Sequence, residues 1–173
     1  MNTATAADHI GAVILDVDGV LTDGRIGYGS GPDEIKFFDV RDGLGIRLLQ
    51  NAGVRVCLLS GRASPANRRR AEELRLDAVV EGATDKTAGL QGLLERLGLS
   101  AAACCYVGDD LIDIPVLRRV GLAVAVADAA EEVRAVAHWV TAAPGGRGAV
   151  REVAERLLKA RGVWSEVCRR YEC

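Results

Sequence analysis

Two aspartates, spaced two residues apart, follow a short apolar run near the start of the chain. Val13, Ile14 and Leu15 form a run rich in β-branched residues, which predicts a strand buried on both faces of a sheet. Asp16 and Asp18 come directly after it, and ligands bind at the carboxyl ends of strands in open α/β sheets. Two carboxylates so close together need a cation, a shared proton or open solvent to relieve their repulsion. The pair therefore suits a hard divalent cation such as Mg²⁺, although Asp and Gly in this order also form ordinary turns.

Polar groups of complementary chemistry follow three later apolar runs, each of which predicts a strand. They are the Ser60 hydroxyl after residues 54–59, the Lys86 ammonium after residues 78–81, and the carboxylates of Asp109, Asp110 and Asp113 after residues 103–107. Taken alone, each has a common structural explanation, since serines cap helices, lysines are exposed to solvent and aspartates begin helices. Because the ends of parallel strands meet at one edge of a sheet, we expect these groups to converge. A hydroxyl and a cation beside carboxylates suit a phosphoryl group held next to Mg²⁺.

The elements that position these groups alternate between strand and helix along almost the whole chain. Further strands are predicted at residues 122–126 and, as a short edge strand, at 139–141. This alternation predicts an α/β fold with a doubly wound, mostly parallel sheet. Asp42 or Gly43 is expected to cap the first helix, and Gly53 to end it. The length of 173 residues suits one domain, 1–173.

Residues 25–40 predict a β-hairpin that projects from the sheet as a flap. Apolar residues lie on both sides of a turn signal, SGPD, at residues 30–33. Only this hairpin fits between Asp18 and the first helix, and no insertion separates Ser60 from Lys86, so the spacing leaves no room for a cap domain. The tail at residues 162–173 has no predicted partner within the fold.

Composition excludes several functional classes. The net charge is −2 and the isoelectric point is about 5.7, so nothing indicates nucleic-acid binding. No apolar run reaches membrane-spanning length and the first ten residues lack the pattern of a secretory signal, so no membrane partner is expected. The five cysteines have no framework spacing, which indicates reduced thiols and a cytoplasmic protein. With only two histidines, His9 and His138, a histidine-rich zinc site is excluded.

The order of these motifs resembles the haloacid dehalogenase-like phosphatase superfamily. The matching residues are DVDG at 16–19, Ser60, Lys86 and GDDLID at 108–113. The resemblance implies that Asp16 is the nucleophile and forms an aspartyl phosphate. It implies that Asp18 is the general acid for the leaving group and then the general base for water.

The same resemblance implies where the cofactor and the phosphoryl group are held. Mg²⁺ would bind Asp16, the backbone carbonyl of Asp18 and Asp109, and Asp110 or Asp113 would hold metal-bound waters or orient Lys86. The phosphoryl oxygens would be held by the Ser60 hydroxyl, the Gly61 amide and the Lys86 ammonium. The chain departs from the general pattern at Val20, where the superfamily often has threonine, which puts one minor hydrogen bond in doubt.

A narrower resemblance covers roughly residues 10–160. The segments DVDGVLTDG, RDGLGIRLL, SGR, VGDDLIDIPVL, GLAVAVADA and GGRGAVREV resemble the 3-deoxy-D-manno-octulosonate 8-phosphate phosphatase family. The family implies a sugar-acid phosphate as substrate and a homotetramer in which a neighbour's hairpin and tail cover the open site. Arg62 is then expected to contact the sugar acid or its phosphate. Arg41 and Arg147 are further candidates for a carboxylate, although a surface salt bridge is the more common role of such arginines.

The same residues are also compatible with other functional classes. A phosphoacceptor receiver domain also combines aspartates, a hydroxyl and a lysine around Mg²⁺, but here the first strand carries an acid pair whose second member can serve turnover. A catalytically inactive oligomeric module is disfavoured because every expected catalytic residue is present, and a phosphomutase because no cap excludes water. Among substrates, a nonulosonate 9-phosphate and a seven-carbon sugar phosphate are alternatives to octulosonate 8-phosphate.

Overall fold

A six-stranded parallel sheet forms the centre of the computed structural model, which describes residues 9–31 and 33–171. In chain order the strands are β1 Ala12–Leu15, β2 Gly27–Tyr28, β3 Glu34–Ile35, β4 Arg55–Leu59, β5 Ala78–Val80, β6 Cys104–Gly108, β7 Leu122–Ala125 and β8 Trp139–Val140. The sheet has the order β5-β4-β1-β6-β7-β8, and every pair in it is parallel. The predicted α/β class and doubly wound parallel sheet are confirmed. Pro32 of the predicted turn and Cys173 lie outside the described residues.

Helices connect successive strands of the sheet. They are α1 Val40–Asn51, α2 Pro65–Leu74, α3 Lys86–Leu97, α4 Ile114–Leu117, α5 Glu131–Val136, α6 Ala149–Ala160 and α7 Trp164–Arg169. From β1 the chain builds outward through β4 and β5, and then returns to β6 on the other side of β1. The strand order therefore reverses beside β1, which is where a doubly wound sheet opens a crevice for a ligand. None of the helices in the described part of the chain is long and apolar enough to cross a membrane.

The register of the sheet brings three strand ends level with one another. All four residues of β1 are fully buried, as its run of branched apolar side chains predicts. Leu15 at the end of β1 is paired with Leu58 of β4 and Val107 of β6. The residues that follow these strands therefore emerge at one edge of the sheet, around Asp16.

The start of α1 differs from the prediction. Asp39, and not Asp42 or Gly43, is the N-cap, and its side chain accepts a hydrogen bond from the Arg41 amide. Asp42 lies in the first turn and is fully buried, and its carboxylate accepts from the backbone amides of Gly148 and Arg151. Acids at both positions satisfy the local preference for a cap, and tertiary contact with α6 decides between them.

The tail is also more ordered than the sequence suggested. Residues 164–169 form α7, which packs against α6. The Trp164 ring lies beneath the Lys159 ammonium, at 5.2 Å from the nitrogen to the ring centroid. Val163 and Val167 are partly buried against the core. The sequence showed no clear partner for the tail, whereas the structure packs residues 163–169 against the rest of the fold.

The predicted flap is present between β1 and α1. β2 and β3 pair in the antiparallel sense, with Tyr28 opposite Glu34. Several apolar side chains between the flap and the first residue of α1 remain exposed, including Tyr28 at 79%, Phe37 at 76% and Val40 at 82%. The segment between β4 and α3 contains only α2, β5 and short loops. The site at the sheet edge is consequently covered by a hairpin and not by a cap domain.

Candidate active site

Asp16 and Lys86 form a buried ion pair at the carboxyl edge of the sheet. Asp16 follows β1, and Lys86 is the first residue of α3, whose N-cap is Asp85. Asp16 Oδ1 lies 2.9 Å from Lys86 Nζ, and both side chains are almost completely buried. Burial lowers the pKa of Lys86, but the neighbouring carboxylates of Asp16 and Asp113 outweigh it and hold the pKa above its ordinary value. A cation at the start of a helix opposes the helix dipole, so these carboxylates keep it in place.

Asp113 fixes the position of the lysine. Its Oδ1 accepts hydrogen bonds from Lys86 Nζ and from the Tyr106 hydroxyl, each at 2.6 Å. Its Oδ2 accepts from the backbone amides of Asp109 at 2.9 Å and Asp110 at 3.2 Å. Both carboxylate oxygens are therefore used within the protein, so the geometry favours Asp113 as the residue that orients Lys86.

Tyr106 is a functional neighbour that the sequence did not reveal. It lies in β6 and is fully buried, and its hydroxyl is 3.3 Å from Lys86 Nζ. Burial raises the pKa of its phenol well above the ordinary value, with the charge of Asp113 acting in the same direction. A tyrosine among the small residues of Ala-Cys-Cys-Tyr-Val is the one local signal that could have identified it, because a buried phenol needs a polar partner.

Asp109 carries an oxygen that is not satisfied by the protein. Among the described residues, nothing donates a hydrogen bond to its buried Oδ1. Burial, together with the charges of Asp16 and Asp113, raises the pKa of this carboxyl to about 8. Burial likewise raises the pKa of Asp16 to about 6, with Asp113 acting in the same direction and Lys86 opposing it. The site thus contains more negative charge than its own lysine neutralises.

These carboxylates fit a hard divalent cation. Asp16, Asp109 and Asp113 each offer an oxygen within 4.8 Å of the others. Gly19 leaves space for the Asp109 carboxylate, because a Cβ on Gly19 would overlap Asp109 Oδ2. Oxygen ligands, excess negative charge and an unsatisfied buried oxygen are what Mg²⁺ requires. Asp110 is exposed, and its carboxylate accepts from the Leu111 amide at 2.7 Å as the cap of a short 3₁₀ turn at Leu111–Asp113.

Asp18 is held by two cations that flank its carboxylate. Lys36, which follows β3 of the flap, places Nζ 2.6 Å from Asp18 Oδ1. Arg62, from the loop after β4, places Nε 3.9 Å from Asp18 Oδ2 and also forms an ion pair with Glu34 of β3. Lys36 was not predicted, because its partner lies 18 residues earlier in the chain and no strand-end pattern marks it.

The loop after β1 supplies its own hydroxyl group. Thr22 Oγ1 accepts from the amides of Gly19 at 3.4 Å and Gly24 at 3.2 Å, and donates to the Val17 carbonyl at 3.3 Å. Val20 is completely buried. Thr22, two residues after Val20, therefore supplies the side-chain hydroxyl that bonds to the backbone of this loop.

The loop after β4 lies beside the lysine. Ser60 is buried and its hydroxyl accepts from the Arg62 amide at 3.2 Å. A Cβ built on Gly61 would be 3.9 Å from Lys86 Cε. Ser64, and not Ser60, caps α2. The hydroxyl of Ser60 is thus not committed to the helix, which removes the ordinary structural explanation for that serine.

Arg41 and Arg147 lie beside the loop that follows β1. Arg41 pairs with Asp39 at 2.8 Å and donates to the Arg147 carbonyl at 3.3 Å. Arg147 lies 3.7 Å from Asp23, and its neighbour Gly146 donates to the Val20 carbonyl at 2.8 Å. Of the three predicted substrate-binding arginines, Arg62 makes an ion pair with one of the predicted catalytic acids.

Comparison with known proteins agrees with this geometry. A family model described as haloacid dehalogenase-like hydrolase matches residues 78–151. Over 162 residues the chain is 44% identical to the 3-deoxy-D-manno-octulosonate 8-phosphate phosphatase of Salmonella typhi, covering 94% of this chain and 86% of the relative.

Solved structures give the same result. A crystal structure of the phosphatase of that name from Moraxella catarrhalis, in complex with magnesium, phosphate and KDO, superposes with a TM-score of 0.96 at 39% identity and covers 99% of each chain. The cobalt-bound Haemophilus influenzae phosphatase superposes with a TM-score of 0.90 at 41% identity, covering 92% of this chain and 94% of the other. Fold and site thus define a haloacid dehalogenase-like hydrolase of phosphate monoesters. Within that class, the chain belongs to the 3-deoxy-D-manno-octulosonate 8-phosphate phosphatase family.

Proposed function

We propose that the protein is a Mg²⁺-dependent phosphatase that hydrolyses 3-deoxy-D-manno-octulosonate 8-phosphate through an aspartyl phosphate on Asp16. The observation that carries this proposal is the cluster of Asp16, Lys86 and Asp109 at one sheet edge, with Asp18 two residues from the nucleophile. The 44% identical relative bears the name of this activity. A phosphoryl group fits between a carboxylate that attacks it and an ammonium that neutralises its oxygens.

The first step transfers the phosphoryl group to the protein. A carboxylate oxygen of Asp16 attacks phosphorus, and the bond between phosphorus and the sugar oxygen breaks. Asp18 gives its proton to the departing sugar oxygen, so the product leaves as an alcohol. Lys86, held by Asp113 at 2.6 Å, neutralises charge on the phosphoryl oxygens, and the Ser60 hydroxyl and Gly61 amide donate to them.

The second step returns the nucleophile to its starting state. Water attacks the phosphorus of the aspartyl phosphate, Asp18 takes a proton from that water, and the bond between phosphorus and the Asp16 oxygen breaks. Phosphate leaves, with Asp16 again a carboxylate and Asp18 again carrying the proton for the next cycle. Mg²⁺ held by Asp16, the Asp18 carbonyl and Asp109 would polarise the phosphoryl group and neutralise the charge of the acids around it.

Substrate choice is proposed to depend on cations around the flap. Arg62 is exposed on one side and lies next to Asp18, so it is suited to the carboxylate or phosphate of a sugar acid. Arg41 and Arg147 lie beside the loop that follows β1 and are proposed to extend this positive surface. The chain is proposed to work as one domain, residues 1–173.

Two proposals concern the state of the protein. The exposed apolar side chains of the flap support a homotetramer, in which a neighbouring copy covers Tyr28, Phe37 and Val40. Light scattering at working concentration tests this, and a monomer contradicts it.

The buried free thiols of Cys57 and Cys105 support a cytoplasmic location, where thiols stay reduced.

The experiment that tests the function is phosphate release from a panel of substrates. The panel contains octulosonate 8-phosphate, a nonulosonate 9-phosphate, a heptose phosphate and p-nitrophenyl phosphate, each with Mg²⁺ and with EDTA. We expect octulosonate 8-phosphate to turn over fastest, only with Mg²⁺, and not in Asp16→Asn. Glu95→Gln is the matched control, because Glu95 is an exposed acid on α3 whose carboxylate accepts from Gln91 and lies outside the proposed reaction path. Equal rates in wild type and Asp16→Asn would contradict the proposal.

A further inference from the structure

Lys36 of the flap is a buried cation that the reaction outlined above does not use. Its side chain has no exposed surface, although lysines are almost never fully buried unless they are paired. Its partner is Asp18 Oδ1, at 2.6 Å. A hydrogen bond of this length to a charged group fixes the orientation of the carboxylate.

Two ion pairs tie the flap to the sheet edge. β2 and β3 contain two residues each, and an isolated hairpin of that size is not stable in water. Lys36 joins the flap to Asp18, and Glu34 joins it to Arg62 in the loop after β4. Two carboxylates and two cations therefore form a group with no net charge. In it, each of the two charged side chains of β3 and the residue after it is paired with an opposite charge at the sheet edge.

The two oxygens of the Asp18 carboxylate have different hydrogen-bond partners. Oδ1 accepts a hydrogen bond from an ammonium, which favours the unprotonated, carbonyl-like form of that oxygen and so places the catalytic proton on the other one. Oδ2 has its nearest cation, Arg62 Nε, at 3.9 Å, which is beyond hydrogen-bond distance. Oδ2 is thus the oxygen that is free to exchange a proton.

We propose that Lys36 is a positioning residue that anchors Oδ1 of Asp18 and leaves Oδ2 to deliver the proton to the leaving group. This inference rests on the proposed function, in which Asp18 is the acid. In the first step the proton passes from Asp18 Oδ2 to the sugar oxygen as the bond to phosphorus breaks. In the second step the attacking water returns a proton to Oδ2, and Lys36 keeps its own protons throughout.

Two substrates whose leaving groups have similar shapes but different basicity can distinguish a positioning role of Lys36 from a purely structural one. Phenolate needs a proton from the enzyme far more than p-nitrophenolate does, while both phosphates present nearly the same ring to the site. The value of kcat/KM reports the steps up to phosphoryl transfer to Asp16 and excludes the later attack of water. A loss of folding or of flap placement in general would lower kcat/KM for both substrates alike.

The test measures kcat/KM for phenyl phosphate and p-nitrophenyl phosphate with Mg²⁺ in wild type, Lys36→Gln, Lys36→Met and Lys36→Arg. We expect the two neutral variants to lose about tenfold more on phenyl phosphate than on p-nitrophenyl phosphate, as part of the roughly 10²–10⁴-fold of a positioned acid. Lys36→Arg, which keeps a charged donor, is expected to recover most of this difference. Lys159→Gln is the matched control, since Lys159 is an exposed lysine paired with Glu155 on α6.

The outcomes are distinguishable. Equal losses on both substrates in a folded neutral variant, judged by thermal unfolding, would overturn the role of Lys36 and leave the proposed function intact. A wild type that hydrolyses neither aryl phosphate nor octulosonate 8-phosphate would overturn the function itself, and the inference with it. If neither neutral variant folds, the wild type decides: a kcat/KM about 10³-fold lower on phenyl phosphate, as large as the difference in leaving-group basicity alone, would show that no proton is delivered and would overturn the role of Lys36.

Discussion

Replacing Asp113 with asparagine should destabilise the protein by removing the partner that organises Lys86. The carboxylate accepts four hydrogen bonds, from Lys86, Tyr106 and the amides of Asp109 and Asp110. Asparagine has one acceptor oxygen, so its amide nitrogen must face donors on one of the two sides. If the oxygen serves the two backbone amides, the nitrogen meets the Lys86 ammonium at the position where 2.6 Å now separates opposite charges.

The magnitude follows from burial of both groups. Breaking a buried ion pair by removing one partner costs about 3–5 kcal/mol. Asp16 remains as a second partner for Lys86 at 2.9 Å, so we expect the lower end, about 3 kcal/mol. For a chain of this size, each kcal/mol lowers the melting temperature by about 2–4 °C, which gives a fall of about 6–12 °C.

The assay is urea unfolding and thermal unfolding of Asp113→Asn in the presence of Mg²⁺. Removing one acid would also reduce the repulsion among the carboxylates of the site and so stabilise the protein. Mg²⁺ neutralises that repulsion in both proteins, so the measured difference reports the lost contacts of Asp113. Asp110→Asn is the matched control for stability, because it changes the exposed neighbouring carboxylate that accepts from the Leu111 amide, and almost no loss is expected since asparagine caps as well as aspartate. A loss below about 1 kcal/mol in Asp113→Asn, or equal losses in the two variants, would refute the assignment of Asp113 as the organising group.

Three further predictions follow from the geometry. Gly19→Ala should weaken activation by Mg²⁺ about tenfold or more, since its Cβ would overlap Asp109 Oδ2. Gly53→Ala is the control for backbone strain, because Gly53 has a φ of +78° and no atom within 4 Å of a built Cβ. Equal Mg²⁺ titration curves for the two variants would contradict the prediction. In EDTA, the free energy of unfolding should fall as pH rises from about 4 to about 8, because the native state keeps protons on Asp16 and Asp109, whose pKa values are raised to about 6 and about 8. Urea unfolding at several pH values should show this slope in EDTA and its loss in Mg²⁺. A slope of the opposite sign in EDTA would contradict the burial of these charges. Asp42→Ala should cost about 1–3 kcal/mol in urea unfolding, because two amides at the start of α6 lose their acceptor, and an unchanged midpoint would contradict that.

The sequence predicts the strand-end groups well because each follows a run whose composition marks it as a buried strand. Asp16, Ser60 and Asp109 are located by such runs, and parallel pairing then brings them to one edge. Lys86 is located by its place at the start of a helix after a strand. These inferences need only local periodicity and the topology of a doubly wound sheet.

The groups that were missed depend on contacts between distant parts of the chain. Lys36 meets Asp18 across 18 residues of hairpin, and Tyr106 reaches Lys86 across 20. The acid that caps α1 could not be chosen from the sequence, because Asp39 and Asp42 are equally suitable until α6 takes the second one. The apolar residues of α7 find their partners on helices formed earlier in the chain, so local pattern alone did not predict its packing.

The central claim is that Asp16 becomes phosphorylated during turnover. The direct measurement is acid quenching of the protein within the first turnover of octulosonate 8-phosphate in Mg²⁺, followed by mass spectrometry of the peptide that contains residues 12–18. Asp18→Asn is included because loss of the base slows attack by water and lets the intermediate accumulate. We predict a phosphoryl adduct on Asp16 that disappears with EDTA and in Asp16→Asn. Phosphate release with no adduct on Asp16 in the wild type or in Asp18→Asn would contradict the account.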